Sequence, residues 1–412
     1  MNRWPADHQS LELPWRAWQG APETERFGFP PGWDVERLEM SGWGAEAEPD
    51  LDGLREAVRR LVAPGASVSI AVDDPTRPAA LEAVLAAVET GLLEGGIDPA
   101  AIDLVMALGA HRAPRPDEVR AKVGGAIADR YRVRLHDMQG ELATSSLMLG
   151  EIPLRIDPPF LAADIRIGVG TIIPNPFAGF SGGGKIVLPG LAAREALEWL
   201  HKLGMMGFGG VAKLHGNRIR MEVDRVAREL PLHLSVNCLV DTSRRIREIY
   251  YGDPLESHQR GCQRARSAYA TPMSGRFDVL ICNAYPKDGE FLQAENGYSP
   301  LRTGGAQFLA GEGSAVLMAA CHQGRGHHGL FDEGMPLHRV PRGPKRYLGN
   351  RALHVFAPGI SENDCHVTHW SGYPHYRDWD ELIHALLNRH GDGARVGIFP
   401  AGSCQLGPQE SA

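Results

Sequence analysis

Short apolar runs alternate with longer amphipathic stretches along most of this chain. Ser67–Asp74, Ile102–Gly109, Tyr131–Leu135 and Ile165–Ile173 read as strands, with Pro78–Leu93 and Pro116–Val123 as helices between them. Short, mostly apolar runs of this length suit parallel strands covered on both faces, and the helical stretches supply the crossovers. The alternation predicts an α/β fold: two Rossmann-like lobes with mostly parallel sheets and an interdomain cleft. Helices are expected over Ala192–Leu203 and Asn217–Leu230, and strands over Leu232–Val240 and Ile246–Tyr251. The polar stretch Gln259–Arg276 then leads into a second domain, where Phe277–Ala284, Ala315–Cys321, Leu353–Pro358 and Arg395–Pro400 read as buried strands. Asp378 is placed to cap a helix with Glu381 at its third position and Trp379, Leu382, Ile383, Leu386 and Leu387 on its buried face. The expected division is an N-terminal catalytic and cofactor-binding domain over 1–270 and a C-terminal α/β domain over 271–412, its last segment a candidate to pack back on the first.

Composition narrows the partners. The chain has 49 Gly and 30 Pro, but an apolar fraction of 43% and a charged fraction of 23% leave ample material for a core, so these residues mark loops rather than disorder. The formal net charge of −7, with no Lys/Arg block, argues against a nucleic-acid groove or an anionic membrane surface and favours a small-molecule partner. No apolar run approaches the roughly 20 residues that cross a bilayer, and the opening residues lack a signal peptide's apolar region. A cytoplasmic protein is therefore expected. The six cysteines are scattered without a C-x-x-C pair, so they read as small buried apolar residues.

Three clusters fall at the ends of expected strands. The densest is GFSGGGKIVLPG, Gly179 to Gly190. It has most of a P-loop, but Ile186 stands where nucleotide hydrolysis needs a Ser or Thr hydroxyl for Mg²⁺, which excludes an ATPase. What remains is a backbone with few side chains, open to an anionic ligand, ending in Lys185 as an electrostatic ligand, a covalent attachment point or a solvated charge. His201 follows on the next helix, one turn after Leu197, as a metal ligand or a satisfied core histidine. AVDDPTRP brings Asp73, Asp74, Thr76 and Arg77 to a strand end, where open α/β sheets bind ligands and a guanidinium suits a carboxylate. ALGAHRAP adds His111 for proton transfer near neutral pH, and Arg112.

These residues resemble the nickel-dependent lactate racemase family from roughly residue 30 to residue 405. The resemblance is carried by DDPTRP, GAHR, the pair His136-Asp137, IGVGTIIPNPFAGFSGGGK, the LPG that follows, His201, and NAYPKDGEFLQA at Asn283 to Ala294. It implies a two-domain α/β isomerase that uses a nickel-pincer nucleotide, a pyridinium mononucleotide holding nickel through two sulfur groups and a ring carbon. It implies a covalent bond to that cofactor at Lys185 and nickel coordination by His201. Asp73, Asp74, Thr76, Ser181, Gly182, Gly183, Gly184 and Gln293 are expected around the cofactor, which separate synthesis proteins would supply. The implied reaction removes a hydride from C2 of a 2-hydroxy acid, leaving a 2-keto acid, and returns it to either face. His111 matches one of two family histidines that take the hydroxyl proton, and Arg77 matches a substrate-side arginine.

Two positions depart from the family. Asn175 stands where the second histidine is expected, and an amide cannot shuttle a proton. Asn296 stands where a lysine is expected, three residues after Gln293. Both departures point to a racemase or epimerase acting on a 2-hydroxy acid other than lactate, such as a larger sugar acid, with His136 as an alternative second base. Two other readings compete: a metal-dependent hydrolase built on Cys321, His322, His327 and His328 or on Cys365, His366 and His369, and a non-catalytic cofactor-binding homologue.

Overall fold

The structure, a computed structural model, describes residues 9–18, 23–44, 47–338, 343–369 and 371–408. It divides into two compact units, one of Trp43–Ala265 with His328–Leu337, the other of Met1–Gly42, Arg266–His327 and His338–Ala412.

The first unit is built on a six-stranded sheet in the order Ile246–Gly252, Leu234–Val240, Ile165–Thr171, Val68–Asp73, Ile102–Ala107, Val133–Leu135. Only Ile246–Gly252 runs antiparallel to its neighbour. Every residue of Val68–Asp73 and of Leu234–Val240 is buried, the polar Ser69, Ser235 and Asn237 included, as expected of strands covered on both faces. Successive residues feed opposite faces. Ile70, Val72, Leu104 and Met106 pack with Leu54 and Val58 of helix Leu51–Leu61 and with Val84, Leu85, Val88 and Leu92 of helix Glu82–Glu94. Ala71, Val105 and Ala107 pack with Leu197 and Leu200 of helix Arg194–Met205 and with Ile219, Val223 and Val226 of helix Arg218–Glu229.

From Val68–Asp73 the chain steps outward through Ile102–Ala107 to Val133–Leu135, then returns to the opposite side of Val68–Asp73 as Ile165–Thr171. The order therefore reverses between Val68–Asp73 and Ile165–Thr171. A reversal of this kind opens a crevice beyond the carboxyl ends of the two strands, the usual ligand position in open α/β sheets.

The second unit carries a wholly parallel six-stranded sheet, ordered His375–Tyr376, Ala352–Phe356, Leu309–Met318, Phe277–Asn283, Arg395–Phe399, Asp34–Arg37. Asp378 caps helix Trp379–His390 by accepting the Glu381 amide at 3.1 Å. Leu382, Ile383 and Leu386 are buried beneath that helix, as its spacing predicts.

Several boundaries differ from the sequence reading. The described residues up to Gly42, expected in the first domain, belong to the second unit, because Asp34–Arg37 pairs in parallel with Arg395–Phe399. His328–Leu337, expected in the second domain, belongs to the first unit. The polar stretch expected over Gln259–Arg276 is mostly helix, Pro254–Tyr269, whose polar residues cover its outward side while Cys262, Ala265 and Tyr269 are buried. All six cysteines are buried, and none is joined in a disulfide among the described residues. Among the described residues, no helix is long and apolar enough to cross a membrane.

Candidate functional site

The crevice of the first unit starts at the carboxyl end of Val68–Asp73. Asp73 faces inward: it accepts the Thr171 amide at 2.7 Å and pairs with Lys122 Nζ at 2.6 Å. Lys122 is fully buried and also donates to the carbonyls of Arg77 (3.1 Å) and Ala79 (2.8 Å). This buried pair ties the two strands at the switch point to the loop that follows. It also keeps Pro78–Leu81 out of the helix, which begins at Glu82. Asp73, expected at the cofactor, is thus engaged inside the protein.

Asp74 is the carboxylate that turns toward the site. Its oxygens take the Thr76 amide at 2.7 Å and His111 Nδ1 at 3.0 Å. Burial opposes its charge, yet His111, Arg77 and Thr76 together hold its carboxyl well below the usual range. Arg77 Nη1 donates to Thr76 Oγ1 at 2.7 Å, and that hydroxyl lies 3.4 Å from His111 Nδ1. With Nδ1–H directed at a carboxylate, His111 presents Nε2 as a proton acceptor.

The glycine loop is shaped by internal packing. Gly182 (φ +81) and Gly183 (φ +58) take the left-handed conformation, and a Cβ on them would stand 2.9 Å from Asn237 Oδ1 and 2.8 Å from His258 Cγ. A Cβ on Gly184 would stand 2.7 Å from the Val223 carbonyl oxygen. The sequence reading gave these glycines to ligand access; in the structure they let the loop close against its own unit. Ser181 is likewise spent internally, donating to the Thr171 carbonyl at 2.6 Å and accepting the Ile173 amide at 3.0 Å. Asn175 Oδ1 accepts the amides of Phe177 (3.1 Å) and Ala178 (2.8 Å), so this side chain holds a turn.

The loop delivers Lys185. Burial first, then the charges of Arg77 and Arg220, push its amine down to about 7, which makes the neutral, nucleophilic form abundant near neutral pH. Arg220 is itself pinned under the loop by the carbonyls of Ala178 and Phe180.

His201 projects from helix Arg194–Met205, beside the stripe of Ala196, Leu197 and Leu200 that anchors the helix. Its Nδ1 donates to the Leu197 carbonyl at 2.7 Å, leaving a lone pair at Nε2. Burial, with Lys185 and His111 adding repulsion, brings its pKa down to about 4, so the ring is neutral. Phe177 and Phe331 meet it edge-on at ring-centroid distances of 5.3 and 5.4 Å, and His328 at 5.6 Å. His328 also lies 5.8 Å from the His111 ring.

His136, expected as an alternative base, is buried and hydrogen-bonds through Nε2 to the Ala192 carbonyl at 3.1 Å; burial lowers its basicity. Gln293 lies in the second unit, buried in the short helix Phe291–Ala294, where its carbonyl accepts Asn296 Nδ2 at 2.8 Å. The adjacent His327 and His328, grouped in the hydrolase reading, fall in different units. Sequence reasoning missed His328 and Phe331 as neighbours of His201. It also missed Asn237 and His258, which fix the glycine turn by accepting the Gly183 amide (2.7 Å) and bonding the Ser181 carbonyl (3.0 Å). The double histidine in a Gly-rich stretch was the one available signal.

The donor set tests whether a metal-bearing organic cofactor suits this site. His201 offers one unprotonated imidazole nitrogen and Lys185 one neutral amine. Among the described residues, no group of three or more His, Cys, Asp or Glu is arranged to hold a metal ion. A metal at His201 would therefore take its remaining donors from a bound molecule. One imidazole ligand and one attachment point fit a cofactor that brings its own metal donors.

Residues 53–209 match the lactate racemase N-terminal domain family. Arg77, His111, Asn175, Lys185 and His201 all lie in that stretch. Similar curated proteins include the lactate racemase of Thermoanaerobacterium thermosaccharolyticum, 26% identical over 238 residues (56% of this chain, 54% of the relative), and that of Lactiplantibacillus plantarum, 27% identical over 240 residues (56% and 55%). The chain thus spans about half the length of the curated relatives it matches. In fold it is similar to the lactate racemase apoprotein of T. thermosaccharolyticum, with a TM-score of 0.71 at 18% identity over 97% of this chain and 100% of that one. A protein from Thermotoga maritima follows, with a TM-score of 0.66 at 19% identity over 87% and 96%.

Proposed function

We propose that this chain is a member of the lactate racemase family, a racemase or epimerase that inverts C2 of a 2-hydroxy acid with a nickel-pincer nucleotide held by Lys185 and His201. The observation that carries this reading is the convergence, at one switch point, of a near-neutral lysine amine, an imidazole with a bare Nε2, and the Asp74–His111 pair. Lys185 would hold the cofactor through its amine and His201 the nickel through Nε2. When bound, the cofactor supplies the acceptor for the C2 hydride.

The chain's own residues govern the proton. His111 takes the C2 hydroxyl proton at Nε2, while Asp74 fixes the tautomer and stabilises the imidazolium that forms. Arg77, oriented through Thr76, faces the substrate carboxylate. On the way back His111 Nε2 returns the proton to the C2 oxygen, while the hydride would be exchanged with the bound cofactor.

Asn175 and Asn296, at the two departures from the family pattern, support a substrate other than lactate, and a larger hydroxylated acid is the class we assign. The reading also includes cofactor delivery by separate synthesis proteins in the cytoplasm. It is tested by producing the full chain alongside the cofactor-building enzymes. Intact mass should show an adduct removed by Lys185→Ala, and chiral chromatography should show conversion of at least one single-enantiomer 2-hydroxy acid. Protein carrying neither nickel nor adduct would overturn it.

A further inference from the structure

His328–Leu337 lies in the sequence between two stretches of the second unit, yet it packs with the first. Leu330 and Leu337 are buried in the same core as Ala110 and Met138. The Gly329 amide donates to the Ala110 carbonyl at 2.9 Å, and His111 and His328 form a β-bridge. Within the segment, the Leu337 amide reaches the Leu330 carbonyl at 2.8 Å and the His328 amide reaches Asp332 Oδ2 at 2.9 Å. The segment is thus a closed strap, tied at several points, that sets the His328 ring beside both His111 and His201 and the Phe331 ring beside His201.

The chemistry of His328 differs from that of its neighbours. Its Nδ1 accepts the Leu330 amide at 3.3 Å, so the ring proton belongs on Nε2, and the ring is a donor where His111 and His201 are acceptors. The three imidazoles do not form a metal group. A donor and an apolar ring bordering a proton acceptor are what a site needs to read an oxygen and a substituent on a small acid.

We propose that this strap is a specificity wall: His328 donates a hydrogen bond to an oxygen of the bound 2-hydroxy acid, and Phe331 limits the size of the group carried beside its reacting carbon. The proposal rests on the reading of the site as a 2-hydroxy acid isomerase and adds the residues that select the substrate.

The test uses the cofactor-loaded full chain and the best acid found for it. His328→Gln keeps an N–H donor near the Nε2 position, whereas His328→Asn and His328→Ala do not. KM should stay within about threefold for Gln and rise about tenfold or more for Asn and Ala, with kcat changed much less. Phe331→Ala should shift the kcat/KM ratio of a longer over a shorter acid by about tenfold, and Phe331→Leu keeps this arm available if Ala is poorly folded. Independently of turnover, ¹⁵N-histidine spectra should show the Nε2–H tautomer for His328 and movement of that resonance on adding the acid. Unchanged KM in His328→Ala, or equal effects of Gln and Asn, would overturn the proposal while the isomerase reading stands. A wild-type chain that carries no Lys185 adduct and converts no acid would overturn both.

Discussion

Lys185 offers the sharpest quantitative test, because its behaviour is set by the apoprotein and needs no cofactor. An ordinary lysine at 10.5 is neutral in about one molecule in three thousand at pH 7, whereas an amine brought to about 7 is neutral in roughly half, an increase on the order of a thousandfold. The perturbation is trace acetylation with acetic anhydride from pH 5 to 11, and the assay is peptide mass spectrometry of Lys185 against the exposed lysines of the same chain. The midpoint of the pH profile is the diagnostic quantity, since restricted access lowers the rate equally at every pH. Lys185 should titrate near 7, far below an ordinary lysine. Arg77→Gln should raise the Lys185 midpoint by removing a repelling cation, yet leave it below the ordinary value, because burial is the larger cause and is unchanged. A midpoint near 10 in the wild type, or a fall in Arg77→Gln, would refute the account of a desolvated amine.

Three further outcomes are expected. Asp74→Asn should lower kcat by about 10³–10⁴, because an amide no longer fixes Nδ1–H on His111; chiral turnover assays on protein of unchanged melting temperature check this. His201→Ala should lose nickel, measured by elemental analysis, while intact mass still shows the adduct on Lys185, since attachment and metal ligation are assigned to different side chains. Lys122→Ala should destabilise the chain by about 3–5 kcal/mol in urea unfolding by leaving Asp73 as an uncompensated buried charge; a loss under about 1 kcal/mol would contradict that role.

The strands were legible wherever burial on both faces left a mostly apolar run, as in Val68–Asp73 and Phe277–Asn283. The switch point was legible in part, because DDPTRP, GAHR and the glycine loop each end a strand. The roles of the individual polar residues were less legible. Asp73 and Asp74 are adjacent carboxylates in the same motif, and only the position of Lys122, some fifty residues away, decides which one faces inward. The glycines gave the right turn for the wrong reason: composition shows the absent side chain but not that Asn237, His258 and Val223 occupy the space it would fill. Asp34–Arg37 was too short to register as a strand, and its partner lies at the other end of the chain. His328 was visible as a residue and invisible as a neighbour of His201, because nothing local encodes a contact across more than a hundred positions.

That last contact has a consequence for synthesis. When the ribosome has released residue 265, the growing chain already contains Lys185, His201, Asp74 and His111, and the whole first sheet can pair. It still lacks Leu330 and Leu337, so the apolar surface of Ala110 and Met138 stays wet, and it lacks the His328 and Phe331 rings that join Phe177 around His201. The site is therefore completed only after translation has passed Leu337 and that segment has folded back. A chain truncated after Ala265 should expose this apolar patch and aggregate more readily than the full protein, however well its sheet is formed.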